Sequence, residues 1–132
     1  MTQTTDVFPE LQGHEYIRLT TFRKSGEPVP TPVWFAISHG KAYILTGRSL
    51  GKTKRIRNNP RVEMTPCNQN GQKTLGPTVE GQARVLEGND EAAVPGKIAL
   101  NRKYGFMKAL FDFFFALTGR DKETVYLEIS PV

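Results

Sequence analysis

The segment TGRSLGKTKRIRNNPRV, residues 46 to 62, carries the cations Arg48, Lys52, Lys54, Arg55, Arg57 and Arg61 and no acid. It follows an apolar run, and a charge cluster of one sign in that position is suited to hold an anion. RSLGKTKRIRNN reads as a short helix, with Ser49 as its N-cap and Pro60 beyond its end. At about 100° per residue, Lys52 and Arg55 share one flank and Lys54 and Arg57 the other. Thr53 and Ile56 then form a strip that faces the body of the protein. Free amides at a helix start, the Ser49 hydroxyl and nearby cations make a phosphate site on physical grounds. Gly51 would let such a ligand approach the backbone closely. The plainer reading of the same residues is a solvated basic face.

Little else in the chain has the spacing of a reaction centre. His14 and His39 have no partner at metal-ligand or triad spacing, and no paired carboxylates or Gly-rich nucleotide loop occur. The single cysteine, Cys67, excludes an intrachain disulfide and reads as a small buried apolar residue. No side chain is assigned a catalytic role. That is expected where a cofactor carries the chemistry and the protein binds it, orients it and excludes water.

With 132 residues, 38% hydrophobic and 23% charged, the chain fits one folded domain over residues 1–132. No apolar stretch approaches the ~20 residues that span a bilayer. The first residues, MTQTTDVFPELQ, lack the basic and apolar regions of a signal peptide, so a cytoplasmic location is expected. A net charge of +5 raises nucleic-acid binding as a function. No ladder of aromatics is interleaved with the cations, and nucleic acid is therefore not the expected partner.

The elements that must position the basic segment are mostly strands. YIRLTTFR alternates and is rich in β-branched residues, KSGEP is a turn, and VPTPVWFAIS resumes as one strand. Pro30 and Pro32 remove two amide donors from it, which places part of that strand at an edge, a bulge or a ligand. His39-Gly40 suits a tight hairpin turn into KAYILT. RVEMTPC, TVEGQARVLE and TVYLEI are further strands, with NQNGQKTLGP a loop. Residues 89–118 look helical in two pieces, interrupted near Pro95-Gly96 and Gly105. Such an order favours a closed or nearly closed antiparallel barrel, mainly β with helices (α+β).

YIRLTTFRKSGEPVPTPVWFAI, YILTGRSLGKTKRIRNNPRVEMTPC, VEGQARVLE, RKYGF and VYLEISPV, in this order, resemble the pyridoxamine-phosphate-oxidase-like split-barrel oxidoreductases. The group described as F420-dependent is the most similar. The resemblance implies a split β-barrel that binds FMN or the deazaflavin coenzyme F420. The ring would lie along residues 31–35, meeting Pro32, Val33 and Trp34 through main-chain groups. Trp34 taken by itself is equally a core residue. Thr46, with Gly47 and Ser49, would follow at the end of the next strand, and Lys52 matches the phosphate-binding lysine. Where a second cation often precedes that lysine, this chain has Leu50 and Gly51, so Arg48, Lys54 or Arg55 would supply the charge. Gly76 falls near a cofactor-contacting glutamine of the vitamin-B6 oxidases. A long anionic tail would use six cations better than one phosphate does, which favours the deazaflavin. The implied activity is hydride transfer between F420 or FMN and a small organic acceptor. A non-enzymatic cofactor carrier, a haem-binding split barrel and a nucleic-acid-binding barrel are the alternatives.

FMKALFDFFFAL, residues 106–117, has only Lys108 and Asp112 to interrupt its apolar surface. A helix with so narrow a polar stripe must bury against two surfaces. The barrel supplies one. A partner subunit supplies the other, as the resemblance also implies; contact with a membrane surface is the alternative. Analytical ultracentrifugation at micromolar concentration is expected to show a homodimer, and a stable monomer would contradict this reading.

Overall fold

The computed structural model describes residues 7–105 and 123–132. Its strands are β1 (Tyr16–Phe22), β2 (Pro28–Trp34), β3 (Ala36–Ser38), β4 (Lys41–Gly47), β5 (Arg61–Cys67), β6 (Val79–Glu87) and β7 (Thr124–Pro131). They form one antiparallel sheet in the order β2-β1-β5-β6-β7-β4-β3, curled into a half-barrel. Helix α1 (Gly51–Asn58) joins β4 to β5, and α2 (Val94–Tyr104) follows β6. This is the expected α+β split barrel.

One expectation is corrected. VPTPVWFAIS is two strands, because the chain changes partners at Phe35. β2 pairs with β1 from Pro28↔Phe22 to Trp34↔Tyr16, and β3 pairs with β4 from Ala36↔Tyr43 to Ser38↔Lys41. A single run of chain thus occupies both edges of the sheet and closes the curl. Pro28, Pro30 and Pro32 fall at alternate positions of an edge strand, where one row of amides meets no neighbouring strand.

Phe35, 1% exposed, has no ladder partner at the crossing, so α2 supplies one. Its N–H donates to the Tyr104 hydroxyl at 3.0 Å, and its carbonyl accepts from Lys103 Nζ at 2.8 Å. The same ammonium donates to His14 O at 2.7 Å and lies 3.6 Å from the centre of the Phe35 ring. The Tyr104 hydroxyl lies 2.6 Å from Glu15 O and 2.9 Å from Phe35 O, and its one proton serves one of them at a time.

Two cores back this arrangement. Ile17, Leu19, Ile44, Met64, Leu127 and Ile129 fill the barrel, while Tyr43, Leu86 and Tyr126 cluster with Leu100 of α2. Gly96 permits the close approach of α2, since a Cβ there would stand 2.6 Å from the Tyr43 ring. The expected break at Pro95-Gly96 is therefore absent. A 3-10 turn, Glu91–Ala93, is capped by the Asp90 carboxylate and runs into α2, with Pro95 in the first turn, where an amide has no partner to lose. His39 (φ 52°) and Gly40 (φ 78°) form the expected hairpin turn. The helix expected over residues 106–117 lies outside the described residues. No helix among those described is long and apolar enough to cross a membrane.

Tyr104→Phe keeps the aromatic ring but leaves the buried Phe35 N–H without its acceptor. It should destabilise the protein by about 1–3 kcal/mol, read as a lower urea midpoint with an unchanged slope. A wild-type midpoint would show that the hydroxyl does not hold the crossing.

Candidate functional site

β2, β4, the start of α1 and the start of β7 surround a cleft of about 800 Å³, within the range of small-molecule sites. Trp34 forms an aromatic wall, stacked on Tyr104 with ring centres 4.5 Å apart and planes 14° from parallel. α2 therefore sets the plane of the indole. Leu45, Leu50 and Leu100 add apolar surface, and Tyr16, Thr46, Ser49, Gln69 and Thr124 add polar groups. The pairing Gly47↔Thr124 brings the segment after β4 beside the residues that open β7. Arg48 N–H accordingly donates to Glu123 O at 2.6 Å, and Ser49 Oγ donates to Glu123 Oε2 at 3.2 Å.

Lys52 enters this cleft from the first turn of α1. Burial pulls its ammonium below the usual lysine range, and the Arg55 charge pushes in the same direction; among the described residues no carboxylate offsets either effect. A partly desolvated cation without a counterion gains from an anion placed beside it.

Pro32, Val33, Trp34, Thr46, Gly47, Ser49 and Lys52 are brought together around the cleft. Lys54, Arg55 and Gly76 are not among its lining residues. Lys54 is exposed on the outside of α1. Arg55 Nε donates to Thr21 Oγ1 at 2.6 Å. Its guanidinium folds over Gly51, where a Cβ would meet Nη1 at 2.8 Å, so the open space at this glycine holds Arg55 rather than a ligand. Gly76 packs on Pro66, whose ring a Cβ would meet at 3.2 Å. Ser49 is not the N-cap. Leu50 holds that position without a capping bond, and Thr53 Oγ1 ties the helix to Gly47 O at 2.6 Å instead. Thr53 and Ile56 form the buried strip of α1, as its periodicity requires.

The six cations do not act as one group. Arg48 makes a two-pronged pair with Glu87, at 2.7 and 2.5 Å. Arg61 pairs with Glu80 and Glu63, each at 2.8 Å, and lies over the Phe22 ring. The segment has no acid of its own, but neighbouring strands supply them. The count of six cations therefore no longer favours a long anionic tail.

Gln69, Leu100 and Glu123 line the cleft without having been singled out in the sequence. Their only signals are indirect. Gly71, in the loop that carries Gln69, packs on the Pro32 ring, and Arg18 donates to its carbonyl, so the proline-bearing strand is where this loop folds back. Neither histidine lines the cleft; His39 Nδ1 lies 2.7 Å from Ser38 Oγ. Cys67 is buried, and burial pushes its thiol up against the opposing effect of Arg18. Among the described residues, no cluster of His, Cys, Asp or Glu is arranged to hold a metal.

Comparison with solved structures shows the same fold. HutZ, the haem storage protein of Vibrio cholerae, superposes with a TM-score of 0.69 at 14% identity, over 96% of this chain and 90% of that one. A conserved hypothetical protein of Mycobacterium tuberculosis gives 0.70 at 17% identity, over 99% and 81%. A protein described as an F420 reductase gives 0.63 at 20% identity, over 94% and 91%. At these identities the likeness is one of fold. Among curated proteins, none matches the sequence. Residues 4–118, most of the chain, match the pyridoxamine 5'-phosphate oxidase family, and the chain belongs to that family.

Proposed function

We propose that this protein is a cytoplasmic, homodimeric oxidoreductase of one domain, which binds FMN or F420 in the cleft and serves hydride transfer to a small organic acceptor. The observation that carries this reading is the joint presence of the Trp34 wall and the Lys52 ammonium on one cavity. The donor set fits such a group. Lys52 and the Ser49 hydroxyl suit a phosphate, while Trp34 and the β2 main chain suit a flat ring. Thr46, Thr124 and Gln69 suit the polar groups between and around them. When bound, the flavin or deazaflavin supplies the hydride chemistry. The chain holds the phosphate end, sets the ring plane through the Trp34–Tyr104 stack and removes water from one side of the cleft. A second subunit closes the other side, and solvent supplies the accompanying proton.

Charge bears on which cofactor is held. With Arg48 and Arg61 paired to acids, Lys52 is the one cation lining the cleft among the described residues. With that one cation and the Glu123 carboxylate both on the cleft, FMN with its single phosphate fits this balance better than a polyanionic tail does. A haem-binding role, as HutZ is described to have, would need an iron ligand, and neither histidine stands in the cleft. A non-enzymatic flavin carrier would use the same residues; turnover with an acceptor separates it from an enzyme. The acid partners of Arg48 and Arg61 also break up the basic surface that nucleic acid would need.

Lys52→Ala should weaken cofactor binding about ten- to hundredfold, the equivalent of roughly 1.5–3 kcal/mol for a charge-assisted contact. Arg57→Ala, exposed on the other flank of α1, should change it less. Trp34 is the only tryptophan, so its fluorescence reports filling of the cleft in titrations with FMN and with F420. Melting without ligand should be unchanged in both variants. Equal affinities for wild type and Lys52→Ala would reduce α1 to a solvated basic face.

A further inference from the structure

Trp34 and Phe35 are successive residues on opposite sides of the crossing, and Phe35 forms part of a second cleft, of about 550 Å³. Its floor is Leu11, Phe35 and Ala36, all at most 3% exposed. One wall is Ile98 of α2, a large apolar side chain left 51% exposed. Arg102, Lys103 and His39 are also among its lining residues, and no acid is among those described. Arg102 has no acid partner among the described residues. Two backbone carbonyls take two of the three protons of the Lys103 ammonium. Glu15, outside the cleft, acts on it in the opposite direction, and burial pulls its pKa down to about 8 despite that carboxylate.

We infer that the second cleft binds a small organic monoanion, a carboxylate or sulfonate with an aromatic or branched apolar body, seated on Phe35 and Ile98 with its charge toward Arg102 and Lys103. The apolar floor and wall offer burial to the body of the ligand. The one-signed rim supplies the charge complement, which a neutral molecule of the same shape would forgo. Nothing in this inference depends on the cofactor reading, because the two clefts are separated by the Trp34–Phe35 segment and the Tyr104 ring.

Calorimetric titration of the full-length protein with naphthalene-2-carboxylate, and with its neutral amide, tests this directly. One saturable event is expected for the acid, with the amide about tenfold weaker or worse. Arg102→Glu should weaken binding of the acid by at least about tenfold, the loss of one charge-assisted contact or more, and Ile98→Glu by a similar factor because it replaces the apolar wall with a like charge. Both positions are exposed, so melting should stay at the wild-type temperature. Lys52→Ala, which alters the first cleft, should leave the event intact. Equal binding of acid and amide, or no saturable binding below millimolar concentration, would overturn the inference. So would an event abolished by Lys52→Ala and kept by Ile98→Glu, since that places the probe in the first cleft.

Discussion

The architecture depends on how the chain satisfies its backbone where it crosses from one edge of the sheet to the other. Up to Trp34 the main chain is paired with β1, and from Ala36 it is paired with β4. Phe35 belongs to neither ladder, yet it is buried, and an unpaired buried amide or carbonyl there would destabilise the fold by a few kcal/mol. Tyr104 and Lys103 from the end of α2 meet those groups. A helix that could look like a decoration on a barrel is thus required for the barrel to close. Closure also settles the site, because the Tyr104 ring that delivers the hydroxyl is the one on which Trp34 stacks.

Charge is used differently on the two sides of α1. The Arg48–Glu87 pair leaves both side chains more than a third exposed, and a pair of that kind contributes little to stability. Its larger effect is to remove a cation from the vicinity of the cleft. Lys52 has the opposite character: it is held near apolar surface and beside another cation, and both lower its pKa. Folding does not gain from that arrangement. Binding of an anion does, because the desolvation has already taken place in the free protein.

What could be read from the sequence follows from the range of each signal. α1, β1, β5 and the His39-Gly40 turn are specified within about ten residues, by periodicity or by a positive φ, and all were legible. Most of the cleft was legible too, because residues 31–35 and 46–52 sit on segments whose order resembles a family. The partner change at Phe35 was not, since alternation continues through it and only the identity of the neighbouring strand differs. Glu123 and Gln69 were missed for a related reason. Glu123 reaches Ser49 through the β4–β7 register, and Gln69 reaches the cleft on a loop held by Arg18 and Pro32. The Ser49 cap failed because the hydroxyl has a competing acceptor from β7, which local spacing cannot reveal.

The two clefts share a wall only one residue thick. Trp34 faces one and Phe35 the other, so a ligand in either bears on the same peptide. Whether it moves depends on the groups that hold it. The Phe35 amide and carbonyl are bonded to side chains of α2, and the Phe35 ring is covered by the Lys103 ammonium. A shift of Phe35 must therefore either break those bonds or carry α2 along. Breaking them exposes buried polar groups, whereas moving α2 changes the Trp34–Tyr104 stack and the position of Leu100, both of which line or set the first cleft. The second route keeps the Phe35 hydrogen bonds intact. Any coupling between the clefts should then travel through α2 as a rigid element, with Trp34 as its reporter.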